Sequence, residues 1–150
     1  IKKANKRLYM LVRCKHARIQ QKDMVGIYRS LIRPILEYCC VVWHTSLPTY
    51  LHNQLERVQK RAVTIICGRL QNYETCLLDL NLETLFERRE IACKKFFNEM
   101  RNPEHKLHNL LPGPSFRRRS KRTAPELDPP KFKTNRYRNS FIPHCLLNFQ

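Results

Sequence analysis

Apolar residues recur at helical spacing along the first hundred residues, and this period restricts the chain to a helical fold. From about Lys3 to Lys15, Ala4, Leu8, Leu11 and Val12 fall on one face. From about Gln21 to Trp43, Met24, Ile27, Tyr28, Leu31, Ile35, Tyr38, Cys39 and Val42 repeat in the same way. Pro34 lies inside that second stretch and must kink it, because proline lacks an N–H and crowds the preceding turn. A third helix is expected over about Tyr50 to Cys67. Its stripe is Leu51, Leu55, Val58, Ala62, Ile65 and Ile66, Pro48 lies before it, and Gly68 is its terminator. A short element, about Tyr73 to Leu80, leads to Asn81, read as the N-cap of a long helix over about Leu82 to Arg101. That helix carries the stripe Leu82, Leu85, Phe86, Cys93, Phe96, Phe97 and Met100, interrupted by Arg89, which is expected to be partly buried against an acid such as Glu37. Three glycines in 150 residues leave few tight turns for a sheet. The fold expected is all-α: an irregular bundle of about four helices over residues 1–112, followed by an extended, basic, proline-containing tail over residues 113–150, flexible when free.

Charge narrows the partners. Lys and Arg number 29 against 12 acids, a net charge of +17, and the first 22 residues carry eight basic residues and no acid. Such a field selects polyanions, nucleic acid before anionic membrane. The longest uncharged apolar run, Cys39–Trp43, is far too short to span a bilayer, and no apolar core of a signal peptide follows the basic start. Seven cysteines without framework spacing are read as reduced thiols, which places the protein inside the cell, nuclear or cytoplasmic, and not secreted. The chain opens on Ile1, from which a fragment of a longer reading frame is expected.

Reactive constellations are thin. Asp23, Asp79 and Asp128 are isolated from one another. Cys39, Cys40 and His44 lie close in sequence, yet adjacent cysteines on a helix point about 100° apart and no C-x-x-C pair accompanies them; no metal site is expected, and Cys39 and Cys40 are read as core thiols. His144 and Cys145 are adjacent, with no third group to poise a nucleophile. Trp43, beside Val41 and Val42, is read as a core anchor. No catalytic residue is assigned. The basic surfaces remain: Lys3, Lys6 and Arg7 on the first helix, and Arg57, Lys60 and Arg61, which with Thr64 follow i, i+3, i+4, i+7 on the third. Arg117, Arg118, Arg119, Lys121 and Arg122 form a second set in the tail. Lysines and arginines at such positions neutralise phosphates without reading sequence.

The order of segments adds a resemblance. Lys-Ala-Asn-Lys-Arg-Leu from Lys3 to Leu8 comes first, then Tyr-Arg-Ser-Leu-Ile-Arg-Pro-Ile-Leu-Glu-Tyr from Tyr28 to Tyr38, with Val42 and Trp43 after it. Leu55 to Ala62 follows, then Leu80 to Leu82 with Leu85 and the Arg88–Arg89 pair, and finally Thr134 to Pro143. The series resembles the region after the polymerase palm in non-LTR, LINE-type retrotransposon reverse transcriptases of the Jockey and chicken-repeat kind. The resemblance implies a helical thumb and its C-terminal extension, gripping the backbone of an RNA/DNA template–primer duplex. Upstream fingers and palm would be its other partners, and divalent metal on paired aspartates would serve the chemistry there. No Asp-Asp dyad occurs in this chain, which by this reading needs no cofactor of its own. A stand-alone relic or domesticated interaction module is the alternative. The sequence is also similar to a domain family named after the N-terminus of an AlkB-homologue, a tRNA-modifying dioxygenase–methyltransferase. That chemistry needs His-x-Asp or His-x-Glu for a non-haem iron site, and none of the six histidines is followed by an acid at that spacing.

Overall fold

The computed structural model describes residues 1–68, 72–114, 127–128 and 130–149. It is all-α: among the described residues no strand forms, only an isolated bridge between Pro114 and Leu127. Helices are more numerous than the four or so expected. They are α1 (Lys2–His16), α2 (Gln21–Ile27), α3 (Arg33–Glu37), α4 (Cys40–Trp43), α5 (Thr49–Cys67), α6 (Tyr73–Asp79), α7 (Leu85–Met100), α8 (Asn135–Arg138) and α9 (Phe141–Asn148).

Much of the increase comes from one segment. The stretch read as one kinked helix is broken twice. Pro34 crowds the carbonyl four residues before it, that of Ser30, and the chain widens there. Tyr28–Ile32 is a π turn in which the Arg33 N–H donates to the Tyr28 carbonyl, five residues back. Helical geometry continues through α3 and stops at Tyr38, whose ψ is 123°, and Cys39, which is left-handed at φ 50°. Cys39 is consequently exposed while Cys40 is buried, so only one of the two expected core thiols lies in the core. Tyr38 and Val42, both expected in the stripe, face solvent, because the break rotates the helical phase.

Helix ends follow local chemistry. Asn81 does not cap α7; it terminates α6. At φ 50° it occupies the left-handed position, its N–H bonds the Leu78 carbonyl at 3.0 Å, and the Leu82 N–H bonds the Leu77 carbonyl at 2.8 Å. That pair of bonds closes a Schellman motif, sealed by the buried Leu77 and Leu82. Arg18 ends α1 in the same way, with Arg18 N–H on Lys15 O and Ile19 N–H on Cys14 O. The N-cap of α7 is Thr84. Its hydroxyl accepts from the Glu87 N–H at 3.2 Å, and the Glu87 carboxylate accepts from the Thr84 N–H at 3.2 Å, a capping box. Gly68, at φ 101°, does terminate α5, as read from the sequence.

The chain divides into two compact units, at points other than the 112/113 break read in the sequence. One comprises Ile1–Tyr38 and Pro48–Arg88; the other comprises Cys39–Leu47 and Arg89–Gln150. In the first, α1, α2, the π turn and α5 bury Leu8, Leu11, Met24, Tyr28, Val58 and Ile66. In the second, Phe97 of α7 packs with Cys145 and Leu146 of α9, flanked by Leu111, Leu127, Phe141, Ile142 and Phe149. The extended tail is therefore corrected over its last part. Phe141, Ile142, Cys145, Leu146 and Phe149 recur at helical spacing and find a core to bury against. Pro143 is no obstacle, because it sits in the first turn of α9, where its missing N–H has no intrahelical partner to lose.

Candidate nucleic-acid interface

A buried polar network sets the orientation of α5. Gln59 is 1% exposed. Its carbonyl accepts from the Tyr28 hydroxyl, and its amide donates to the Tyr73 hydroxyl at 3.1 Å and to the Glu83 carbonyl at 2.8 Å. Tyr73 in turn donates to Glu56 at 2.6 Å. Burial raises the Tyr28 and Tyr73 hydroxyls well above the ordinary phenol range, so both remain protonated donors. With Gln59 fixed inward, the neighbouring Arg57, Lys60 and Arg61 are turned outward, and all three are exposed.

Helix α1 packs along α5. Arg61 donates to the Asn5 side chain at 3.3 Å, which brings the two basic ladders together. At the far end Lys15 caps α5, its ammonium bonding the Ile66 carbonyl at 2.8 Å. The six described site residues then differ in role. Lys3, Lys6 and Arg57 are exposed with no ion pair among the described residues. Arg7 bonds the Leu31 carbonyl at 2.9 Å, Lys60 lies 4.9 Å above the Tyr73 ring, and Arg61 holds Asn5. These three remain exposed cations held in place by neutral partners, which leaves their charge available to an anion. Arg117, Arg118, Arg119, Lys121 and Arg122 lie outside the described residues.

Elsewhere in this unit cations serve the fold. Arg88 pairs with Glu37 at 2.7 Å and with Glu83 at 3.0 Å, Arg33 lies 3.8 Å from Glu37, and Arg29 bonds the Asn81 carbonyl at 2.7 Å. Glu37 thus pairs with both Arg88 and Arg33. The hydrogen bonds to Glu37 raise the Arg88 guanidinium above its ordinary value against the opposing effect of burial.

Arg89 is fully buried in the second unit. Its Nε lies 3.2 Å from His44 Nδ1, and its guanidinium is 5.7 Å from the Trp43 ring centre. A guanidinium is always a donor, so His44 Nδ1 accepts and His44 Nε2–H donates to Glu90 at 2.8 Å. His144 of α9 meets the other oxygen of Glu90 at 3.2 Å. Sequence reasoning missed this clasp, which joins residues 44, 90 and 144 across long separations with no local spacing to reveal it. Trp43, read as a core anchor, lies here beside the Arg89 guanidinium. Burial pushes the Cys145 thiol up to about 12, which leaves it a poor nucleophile beside His144. Among the described residues no helix is long and apolar enough to cross a membrane, and no group of three His, Cys, Asp or Glu side chains is arranged to hold a metal ion.

Comparison with protein-family models, with curated proteins and with solved structures gives no match.

Proposed function

We propose that the protein is a non-catalytic nucleic-acid-gripping element, thumb-like, from a non-LTR retrotransposon reverse transcriptase. The observation that carries the binding part is the pairing of α1 and α5: two rigid basic ladders lie side by side, joined through Arg61 and Asn5. Lys3, Lys6 and Arg57, with Arg7, Lys60 and Arg61, contact phosphates of the template–primer duplex. A polymerase thumb must hold every sequence alike, and phosphate contact without base readout meets that need. The family part rests on the segment order given above. It predicts paired aspartates within ~100 residues upstream, less than a typical domain length, and a reading frame without them would overturn it.

Salt dependence tests the grip. If about four to six phosphates are neutralised, log K against log salt should fall with a slope of about −4 to −5 on B-form duplex. Replacing Arg57, Lys60 and Arg61 together with Gln should reduce the steepness by about 2 to 3, with the helix retained because Gln is a good helix former. The competing source of affinity is the arginine-rich set at 117–122. Deleting residues 113–150 is the wrong control, since it removes Cys145 and Leu146 from the core around Phe97. Replacing Arg117, Arg118, Arg119, Lys121 and Arg122 with Gln is the right one. If that variant loses all duplex affinity while the α5 variant binds like the parent, the helical surface is not the grip.

A further inference from the structure

The outward face of α1 carries a feature that phosphate contact alone does not use. Lys2, Lys6, Tyr9 and Arg13 follow one another at intervals of four, three and four residues, which places them in one row along the helix. All four are exposed, and the Tyr9 ring is 63% exposed at the middle of the row. Ala4, Leu8 and Leu11 supply the buried face, so packing of α1 does not require Tyr9. No acid occurs on α1 or anywhere in the first 22 residues.

We infer that Tyr9 is a stacking platform for an unpaired nucleobase, with Lys6 and Arg13 holding the phosphates on either side of that nucleotide. The inference rests on the nucleic-acid reading above and narrows its ligand to a strand with at least one unpaired base, such as the single-stranded part of a template beside the duplex. Three properties of the row select it. Charge complementarity selects a polyanion. The exposed π face selects a partner with its own flat ring, and bases within a duplex have both faces already covered by stacking. The spacing fits a single nucleotide step: Lys6 and Arg13 are seven residues apart, about 10 Å along the axis, and flank Tyr9 in the row, within reach of the phosphates on either side of one base. Stacking of this kind tolerates any base, in keeping with a surface that reads no sequence.

Fluorescence anisotropy with the full chain separates the possibilities, using a blunt duplex, the same duplex with a short single-stranded overhang, and the single strand alone. Tyr9→Ala should weaken binding to the overhang and to the single strand on the order of tenfold while leaving blunt-duplex affinity within about twofold. Tyr9→Trp should restore or strengthen the overhang preference, since indole is the larger platform. Tyr9 is exposed, so circular dichroism should be unchanged in both variants. An alanine variant that binds all three ligands like the parent overturns the stacking assignment and leaves the duplex grip intact. Equal loss on all three also overturns it, because the ring would then serve the general surface. If the parent fails to bind blunt duplex but the tyrosine dependence on single strands persists, the duplex grip fails and the stacking site survives.

Discussion

Replacing Gln59 with alanine is expected to destabilise the first unit by about 3–4 kcal/mol, among the largest effects of any single polar substitution in the protein. Gln59 is the only residue on α5 that bonds Tyr28, Tyr73 and the Glu83 backbone at once. Its removal leaves the Tyr28 hydroxyl, on a side chain with 0% exposure, without its acceptor. A buried hydroxyl without a partner costs about 1–3 kcal/mol, and the vacated side-chain volume adds a cavity cost. Tyr28→Phe removes the hydroxyl from the other end and should cost less, because Gln59 retains its two donor contacts. Urea unfolding followed by circular dichroism measures both. A Gln59→Ala loss below about 1 kcal/mol would mean that the network contributes little and that apolar packing alone orients α5. Because the network also fixes the direction of Arg57, Lys60 and Arg61, the alanine variant should weaken duplex binding under conditions where it is still folded.

The second large effect concerns Glu90. Replacing it with alanine removes the acceptor of both His44 and His144 beside the buried Arg89 guanidinium. A loss of about 2–4 kcal/mol is expected, since charge-assisted bonds in partly buried positions exceed neutral ones. The pH dependence follows from the same geometry. Burial pushes the Glu90 carboxyl up, but hydrogen bonds from His144 and His44 outweigh it and hold the carboxyl below its ordinary value of 4.5. A carboxyl depressed in the folded state stabilises the protein above its unfolded value, and that contribution is lost as pH falls through the lower, folded value. Stability should therefore decline in acid from about pH 4.5 downward, and Glu90→Gln should flatten that part of the profile while costing less than alanine at neutral pH. A Glu90→Gln profile that parallels the parent's between pH 5 and pH 3 would assign the acid sensitivity to other carboxylates.

The helices of the first unit were legible because their signals are local. Ala4, Leu8 and Leu11 mark the buried face of α1, and Leu55, Val58, Ala62 and Ile66 that of α5, by period alone. The α7 cap was also legible, as the Thr84 to Glu87 spacing of a capping box, but Asn81 drew the reading because asparagine serves both as an N-cap and in the left-handed position that ends a helix. Position decided it: Asn81 follows Leu80 at the end of α6 and three residues still precede α7. The π turn is a response to Pro34 that sequence could express only as a kink. In the C-terminal segment, the prolines and the excess charge outweighed a helical apolar repeat of five residues, Phe141, Ile142, Cys145, Leu146 and Phe149, that was there to be read. Gln59 and the Glu90 clasp were hidden for a different reason. Their partners lie tens of residues away, and a glutamine or glutamate on a helix gives no sign of whether it meets water or a buried hydroxyl. The exposure of the basic residues on α1 and α5 followed directly from the position of the apolar stripe opposite them.

The interleaved composition of the second unit bears on how the chain matures as it is made. Its α4 segment lies at residues 40–43, yet the α9 helix against which it packs is completed only at residue 148. At about 5–20 residues per second, the ribosome takes roughly 5–20 seconds to supply α9 after α4 has been synthesised. Throughout that interval Cys40 and His44 lack part of their eventual cover, whereas α1, α2 and α5 can already dock on one another. The first unit is thus able to fold during translation before the second, which must wait for α9, and a nascent chain stalled before Phe141 would present an unsatisfied apolar surface to chaperones.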